Sequence, residues 1–177
     1  MTGDQYRQEL MLPFRKVASV DPKSFVHNRA VLIGDVHLGP HSSVWPNAVI
    51  RADLNKIVIG RYTNIQDNTV IHASRESNVI LGDFVTVGHS CVLHGCKIGN
   101  KVMIGLHSSI LDGVEIEDNT IIGAHTLLTQ KMHIPKHSLV MGSPGTVSKK
   151  RNPSKLFVIY AKMYWQLADQ YQSFEIG

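Results

Sequence analysis

Aliphatic residues recur every six positions through most of the chain. The clearest run consists of Ile98, Ile104, Ile110, Ile116, Ile122 and Leu128. The same repeat is present upstream, in Leu32, Leu38, Val44, Ile50, Ile59, Ile65, Ile71, Leu81, Val87 and Leu93. A six-residue period matches neither the face of an amphipathic helix nor the alternation of a hairpin strand. It is typical of a parallel β-helix in which three hexapeptides form one triangular coil.

The repeat assigns each hexapeptide to one of three faces of a triangular prism. Faces one, two and three begin with Ile59, Ile65 and Ile71, and the two following coils carry Leu81, Val87 and Leu93, then Ile98, Ile104 and Ile110. Ile104 is therefore predicted to be buried in a column with Val87 and Ile122. Two interruptions of the period predict a bulge at residues 53–55 and a loop at residues 73–78.

The whole chain is predicted to form one domain. Residues 1–30 are an N-terminal lead-in, residues 31–133 the β-helix, and residues 134–177 an irregular exit with a C-terminal α-helix. The helix is predicted from the amphipathic pattern between Leu156 and Tyr171. The predicted fold class is therefore all-β with a C-terminal helix. Because stacked repeats need covered ends and edges, we expect this helix to pack along the prism.

Three histidines occupy particular positions in the repeat. His72 and His94 each follow the inward aliphatic residue of face three, so they are predicted to point outward one coil apart, about 4.8 Å from strand to strand. His89 lies on the preceding face and points away from them within one chain. In a three-fold assembly, however, the second face of one prism can meet the third face of its neighbour. Two histidines from one chain and one from the next would then form a three-histidine metal site.

The segments around these histidines resemble the γ-class carbonic anhydrase family. The matching segments are residues 51–53, 63–68, 70–72, 87–89 and 93–99, and the likeness runs from about residue 12 to the C-terminal helix. The resemblance implies left-handed coils, a homotrimer and a metal at each subunit interface. Its expected metal ligands are His72, His89 and His94. We expect Zn²⁺, with Fe²⁺ or Co²⁺ as alternatives because imidazole suits all three ions.

The resemblance also implies roles for residues around the metal. Gln66 and Asn64 are expected to orient bound water or bicarbonate by hydrogen bonds. Tyr164 matches a tyrosine of the family's terminal helix that reaches toward the site. A charge network at the subunit interface is expected from three further matching residues: Arg51, Asp53 and Asp67.

The activity implied by the resemblance is that of a lyase that reversibly hydrates CO2 to bicarbonate. A catalytic zinc with three protein ligands keeps a fourth position for water and lowers the pKa of that water to about 7. The sequence departs from the family pattern at the loop of residues 73–78, which is short and contains one acid, Glu76. Fast hydration requires proton export. We therefore expect weak activity that depends on external buffer.

Two other functions remain compatible with the repeat. Ser143-Pro144-Gly145 resembles a segment at the exit of hexapeptide acyltransferases, which favours acyl transfer or thioester hydrolysis. Those enzymes usually use one catalytic histidine and a coenzyme A groove, without three metal histidines. The second alternative is a metal-stabilised trimeric scaffold with little catalysis. Metal analysis separates the acyl-transfer hypothesis from the anhydrase and scaffold hypotheses. CO2 hydration assays then separate the anhydrase from the scaffold.

Composition narrows the range of partners. The net charge is +4 and the basic residues are scattered apart from residues 149–151, so nucleic-acid binding is not expected. No apolar run approaches the roughly 18 residues that span a bilayer, and no signal peptide is recognised. Cys91 and Cys96 give no disulfide framework and are expected to pack internally. These features predict a cytoplasmic protein without a membrane partner.

Overall fold

The computed structural model describes residues 17–150 and 154–173, which form nineteen strands and one helix. The strands are β1 Ser19–Val20, β2 Phe25–Val26, β3 Val31–Leu38, β4 Ser43–Val44, β5 Val49–Ile59, β6 Asn64–Ile65, β7 Val70–His72, β8 Val79–Leu81, β9 Thr86–Val87, β10 Val92–His94, β11 Lys97–Ile98, β12 Met103–Ile104, β13 Ser109–Ile110, β14 Glu115–Ile116, β15 Ile121–Ile122, β16 Leu127–Leu128, β17 His133–Ile134, β18 Ser138–Gly142 and β19 Gly145–Lys150. The helix, α1, is Ser154–Ser173.

The strands form a parallel β-helix, as the repeat predicts. Face two is an eight-stranded sheet in the order β2-β4-β6-β9-β12-β15-β18-β19. Faces one and three are joined into a second sheet by the long strand β5, which pairs with β7 through its first residues and with β8 through its last. The predicted bulge at residues 53–55 is confirmed by a register shift against β3, where Ala52 pairs with Gly34 but Ile57 pairs with Val36. Strand β5 itself continues around that corner.

The strand register confirms the six-residue repeat. The inward residues pair one coil apart as Ile59, Leu81 and Ile98 on face one, Ile65, Val87 and Ile104 on face two, and Ile71, Leu93 and Ile110 on face three. Ile104 is buried between Val87 and Ile122, as predicted. Burial of each such side chain stabilises the folded state by roughly 1.5–3 kcal/mol. The stacked aliphatic columns are therefore the main stabilising element of the prism.

Parallel pairing extends beyond residues 31 and 133 on both sides. β1 already pairs with β3 and β2 with β4, while β18 continues face two beside β15. β18 then turns into the antiparallel strand β19. A Cβ atom on Gly145 would lie 2.8 Å from side-chain atoms of Thr126 and Leu128, so this hairpin closes tightly over the last core residues. Residues 1–16 of the predicted lead-in lie outside the described residues.

Helix α1 confirms the predicted helix and begins two residues before it. Its contacts are with β2, β4, β6 and β9, so it covers the outward side of face two. Phe157, Ala161 and Ala168 are buried there, and Ala168 packs in a cluster with Phe25 and Trp45. No helix within the described ranges is long and apolar enough to cross a bilayer.

The corner between faces two and three positions His89. The chain turns there through residues with left-handed backbone conformation, one per coil: Asn47, Asn68, Ser90, His107 and His125. His89 immediately precedes Ser90, which has a φ of 58°. Strand β10 then crosses face three and ends at His94. The fold therefore holds His89 and His94 at the two ends of the same short crossing.

Candidate functional site

His72 and His94 form a side-chain pair on the outward side of face three. They are direct register partners at the ends of β7 and β10, which confirms the predicted stacking. Their ring centroids lie 5.0 Å apart, and His72 Nδ1 is 3.0 Å from His94 Nε2. The side chain of His72 is 14% exposed and that of His94 is 33% exposed, so the pair is accessible from one side.

Each of the three predicted ligands is paired with its own aspartate, through a hydrogen bond for His72 and His94 and through an ion-pair contact for His89. The pairs are His72 Nε2 with Asp53 Oδ1, His89 Nδ1 with Asp67 Oδ2 and His94 Nδ1 with Asp112 Oδ2, each at 2.9 Å. A carboxylate at one ring nitrogen holds the proton there and leaves the other nitrogen as a lone-pair donor. This arrangement is the usual support of a histidine that binds a metal.

The facing nitrogens of the His72–His94 pair suit a divalent cation. If His72 Nε2 and His94 Nδ1 donate to their aspartates, His72 Nδ1 and His94 Nε2 both present lone pairs across 3.0 Å. Two acceptors at that distance repel each other unless a proton or a cation lies between them. Two nitrogens bound to one tetrahedral zinc lie about 3.3 Å apart, which is close to the observed separation. The donor set therefore fits the expected metal with little movement.

His89 does not join this pair within one chain. Its side chain is 45% exposed at the corner that precedes β10, where Asp67 of the previous coil lies in ion-pair contact with it. Within the described part of the chain, no group of three or more histidine, cysteine, aspartate or glutamate residues is arranged to hold a metal. One chain thus brings two of the predicted ligands together and presents the third at a separate edge.

Arg51 and Asp53 support His72. Arg51 is the register partner of His72, and its guanidinium donates to Asp53, which also accepts from His72 Nε2. Burial acts to raise the pKa of Asp53, but the hydrogen bonds from Arg51 and His72 and the charge of Arg51 outweigh it and lower that pKa. Of the predicted charge network, one chain therefore joins Arg51 with Asp53, whereas Asp67 bonds to His89.

Gln66 and Asn64 lie on face two beside the His89 corner. Both side chains are buried, and Gln66 Nε2 donates to Asn64 Oδ1 at 3.1 Å. Asn64 Nδ2 in turn donates to Thr86 Oγ1 at 3.0 Å. Gln66 is followed directly by Asp67, the residue that pairs with His89. The structure thus associates these amides with the edge that carries His89.

Tyr164 faces the same edge from helix α1. Its ring packs against Trp45 with centroids 5.6 Å apart and is partly buried. Burial raises the pKa of Tyr164, and the negative charge of Asp67 raises it further. The phenol therefore stays protonated at neutral pH and lies within electrostatic reach of Asp67. His89, Gln66 and Tyr164 form one edge, which we call the His89 edge.

Asp112 is the site residue that the sequence reasoning missed. It follows β13 on the coil after His94 and reaches back to His94 Nδ1. One signal was available, because the register of Leu93 with Ile110 places Asp112 one coil above Gly95. Asp112 also lines an open cavity of about 430 Å³ together with Glu76, Ser74 and Lys131. The predicted loop at residues 73–78 thus borders Asp112, the residue that is hydrogen-bonded to His94.

The two cysteines are free and buried, which agrees with internal packing. Burial raises the pKa of Cys91 to about 11 and that of Cys96 to about 12. Because thiolates are the metal-binding form, neither cysteine is suited to share an ion with the neighbouring histidines.

The repeat is also recognised by comparison with known proteins. Residues 95–130 match the family model described as bacterial transferase hexapeptide (six repeats). Among solved structures, a putative acetyltransferase from Bacillus cereus superimposes with a TM-score of 0.88 at 35% identity and covers 90% of this chain and 94% of that one. The fold and the paired histidines thus define a hexapeptide-repeat β-helix protein with a candidate metal centre.

Similarity to curated proteins assigns the family. A probable carbonic anhydrase from Methanocaldococcus jannaschii is 50% identical over 148 residues, which cover 82% of this chain and 93% of that protein. The mitochondrial gamma carbonic anhydrase 1 of Arabidopsis thaliana is 38% identical over 156 residues, covering 85% of this chain and 57% of the plant protein. The chain belongs to the γ-class carbonic anhydrase family.

Proposed function

We propose that the protein reversibly hydrates CO2 to bicarbonate at metal sites shared between the subunits of a homotrimer. The single observation that carries the proposal is the His72–His94 pair, whose facing nitrogens lie 3.0 Å apart while aspartates engage the other nitrogen of each ring. The third predicted ligand, His89, lies at another edge, where it is in ion-pair contact with Asp67. The relatives named carbonic anhydrase support the same reaction for this chain.

The outward side of face three has the character of a subunit interface. Val31, Val70 and Val92 lie in one outward column with Val49 and are each at least 40% exposed. This apolar column runs beside the His72–His94 pair, and contiguous exposed apolar surface marks interaction sites. A second copy that placed its His89 edge against face three would bury the valines and supply the third ligand. Three-fold repetition of this contact closes a trimer.

The metal would be held by His72 and His94 of one subunit and His89 of the next. Zn²⁺ is the expected ion, with Fe²⁺ or Co²⁺ as alternatives, and when bound it would supply Lewis-acid activation of water at neutral pH. The chain's own part is to fix the ligand nitrogens. Asp53, itself held by Arg51, does so for His72, and Asp67 does so for His89.

Two side chains of the His89 edge, Gln66 and Tyr164, would position the substrate. Gln66 is held by Asn64 and can direct its amide toward an oxygen of CO2 or bicarbonate. Tyr164 keeps its hydroxyl proton near neutral pH, because burial and Asp67 raise its pKa, and so remains a hydrogen-bond donor. Because both residues belong to the edge that carries His89, they would enter the site of the neighbouring subunit together with that ligand.

Subunit mixing tests whether the site is shared. We expect His89→Ala and His94→Ala each to abolish tight zinc binding and CO2 hydration. When the two variants are co-expressed, an interface formed by the intact pair of one and the intact His89 of the other restores a complete site. About a quarter of the interfaces in random trimers meet that condition. We therefore expect about a quarter of the wild-type zinc content and activity.

The control for this experiment is His107→Ala, which removes an exposed corner histidine on the next coil and should leave zinc content unchanged. If the mixed trimers recover neither zinc content nor activity, no shared site exists. Full zinc content without hydration would favour the trimeric scaffold.

Acyl transfer remains the second candidate because the similar Bacillus cereus structure is that of a putative acetyltransferase. The Ser143-Pro144-Gly145 segment at the β18–β19 turn is consistent with it. An acetyl coenzyme A turnover assay on chelator-treated protein tests this candidate, since acyl transfer by this fold needs no three-histidine metal. We expect no turnover above the buffer rate.

A further inference from the structure

Asp112 is tied to His94 by a contact that crosses from one coil to the next. The carboxylate leaves the turn after β13, and its Oδ2 accepts a hydrogen bond from His94 Nδ1 at 2.9 Å. Its other oxygen, Oδ1, is buried without a hydrogen-bond partner. One carboxylate oxygen is therefore hydrogen-bonded to the ring of His94, and the other is buried without a hydrogen bond.

Gly95 makes this contact sterically possible. A Cβ atom on Gly95 would lie 2.1 Å from Asp112 Oδ1, so any side chain there would displace the carboxylate. Gly95 also has a φ of 54°, a conformation that side chains disfavour. Its backbone is fixed on both sides, because Gly95 N donates to His72 O and Gly113 N donates to Gly95 O. Neither Gly95 nor Gly113 therefore presents a side chain to Asp112.

The contact has a chemical consequence for the ring. A neutral imidazole carries its proton on either nitrogen, and the partner of one nitrogen decides which. With the proton on Nδ1, the lone pair of His94 is on Nε2, the atom that faces His72. With the opposite tautomer, His94 would present an N–H toward the position expected for the metal and could not bind it.

We propose that Asp112 is a positioning residue that selects the Nδ1–H tautomer and the orientation of His94, and that Gly95 is required to admit its carboxylate. The expected effect on metal affinity rests on the proposed metal site. The tautomer of His94, however, is a property of the metal-free protein. Supporting carboxylates of this kind change metal affinity by roughly 10–100-fold when they are removed. Asp112 accepts a hydrogen bond from His94, whereas Asp53 accepts from both His72 and Arg51.

The tautomer can be measured directly by nitrogen-15 NMR of histidine-labelled, metal-free protein at mildly alkaline pH, with His94→Gln used to assign the signals. In the unsubstituted protein we expect the Nδ1–H form of His94. In Asp112→Ala we expect the signals to move toward the Nε2–H form, and Asp112→Asn should fall between the two because an amide oxygen is a weaker acceptor. A His94 that is already Nε2–H in the unsubstituted protein would overturn the proposal without any variant.

Zinc affinity, measured by competition with a chromophoric chelator, provides the second readout. We expect Asp112→Ala to weaken zinc binding about 10–100-fold. Glu115→Gln is the matched control, because it removes one negative charge from the same coil at a residue that bonds to Lys97. The control should change affinity less than twofold.

The outcomes separate this proposal from the proposed function. Unchanged zinc affinity in a folded Asp112→Ala trimer would refute the role of Asp112 and leave the shared metal site standing. A protein that binds no zinc but shows the Asp112-dependent tautomer would refute the metal site and keep the positioning role. If Asp112→Ala is insoluble, Asp112→Asn and the NMR signal of the unsubstituted protein still decide the question.

Discussion

Faces two and three of the prism are built from the same hexapeptides but differ on their outward sides. Face two lies beneath helix α1, and its outward neighbours Phe25 and Trp45 are buried in a cluster with the helix. Face three presents the valine column and the His72–His94 pair to the exterior. The inward columns of both faces are equally well buried. The repeat therefore specifies the scaffold, while the outward positions specify which surface is used for assembly and chemistry.

The largest effect is expected where the two faces are alike, in the inward columns. Ile104→Asp places a carboxylate in a dry core without a partner, which costs several kcal/mol or more. We expect insoluble or unfolded protein. Val92→Asp, on the outward side of face three, is the matched control and should give a folded chain that no longer assembles. Soluble Ile104→Asp with unchanged melting would mean that the phase of the repeat is misassigned.

A smaller loss of stability is expected from exposing face two. Phe157 is a residue of helix α1 whose side chain is almost fully buried, so Phe157→Ala should lower the free energy of unfolding by about 3–5 kcal/mol. Because the helix lies on the other face from the His72–His94 pair, zinc stoichiometry per folded subunit should not change. Chemical denaturation and metal analysis of one preparation measure both quantities. A stable helix with a lost metal would contradict the separation of the two faces.

Metal removal should act on the contact between face three and the His89 edge of the neighbouring subunit, and not on the inward columns. A ligand at 100 times its Kd stabilises the state that binds it by about 2.7 kcal/mol. We therefore expect chelation to lower the melting temperature and to shift the sedimentation of 19.7 kDa chains from trimer toward monomer. Secondary structure should persist, since the inward columns do not depend on the ion. The His89→Ala variant provides the control, because chelator should have no further effect on it.

The smallest effect is expected from mutating Glu76, the acidic residue of the loop at residues 73–78 that could export protons. Glu76 shares its cavity with Asp112, and the cavity lining does not include either of the paired histidines. We expect Glu76→Gln to alter CO2 hydration less than twofold, whereas added imidazole-type buffer at constant pH should raise turnover clearly. Stopped-flow assays across buffer concentration test both statements. Rapid, buffer-independent hydration that Glu76→Gln abolishes would instead make Glu76 the shuttle.

The sequence predicts the inward columns, the His72–His94 stacking and helix α1 because each depends on periodicity. It also predicts the bulge at residues 53–55, because the break in the period puts extra residues of β5 opposite β3 at that corner. It failed to predict Asp112, since the contact with His94 joins a strand end to a turn on the next coil. Such a contact depends on side-chain reach and on the space left by Gly95, and neither is encoded in the spacing of hydrophobic residues.

The strand register at His72 and His94 has a consequence for how this surface can be altered. The two histidines are 22 residues apart in the chain, yet their separation is fixed by the pairing of β7 with β10 and not by the segment that connects them. The loop at residues 73–78 directly follows β7 and leads to β8. It is therefore a natural insertion point. Longer loops with new acids or recognition groups could be grafted there, at the mouth of the site, without changing the spacing of the pair.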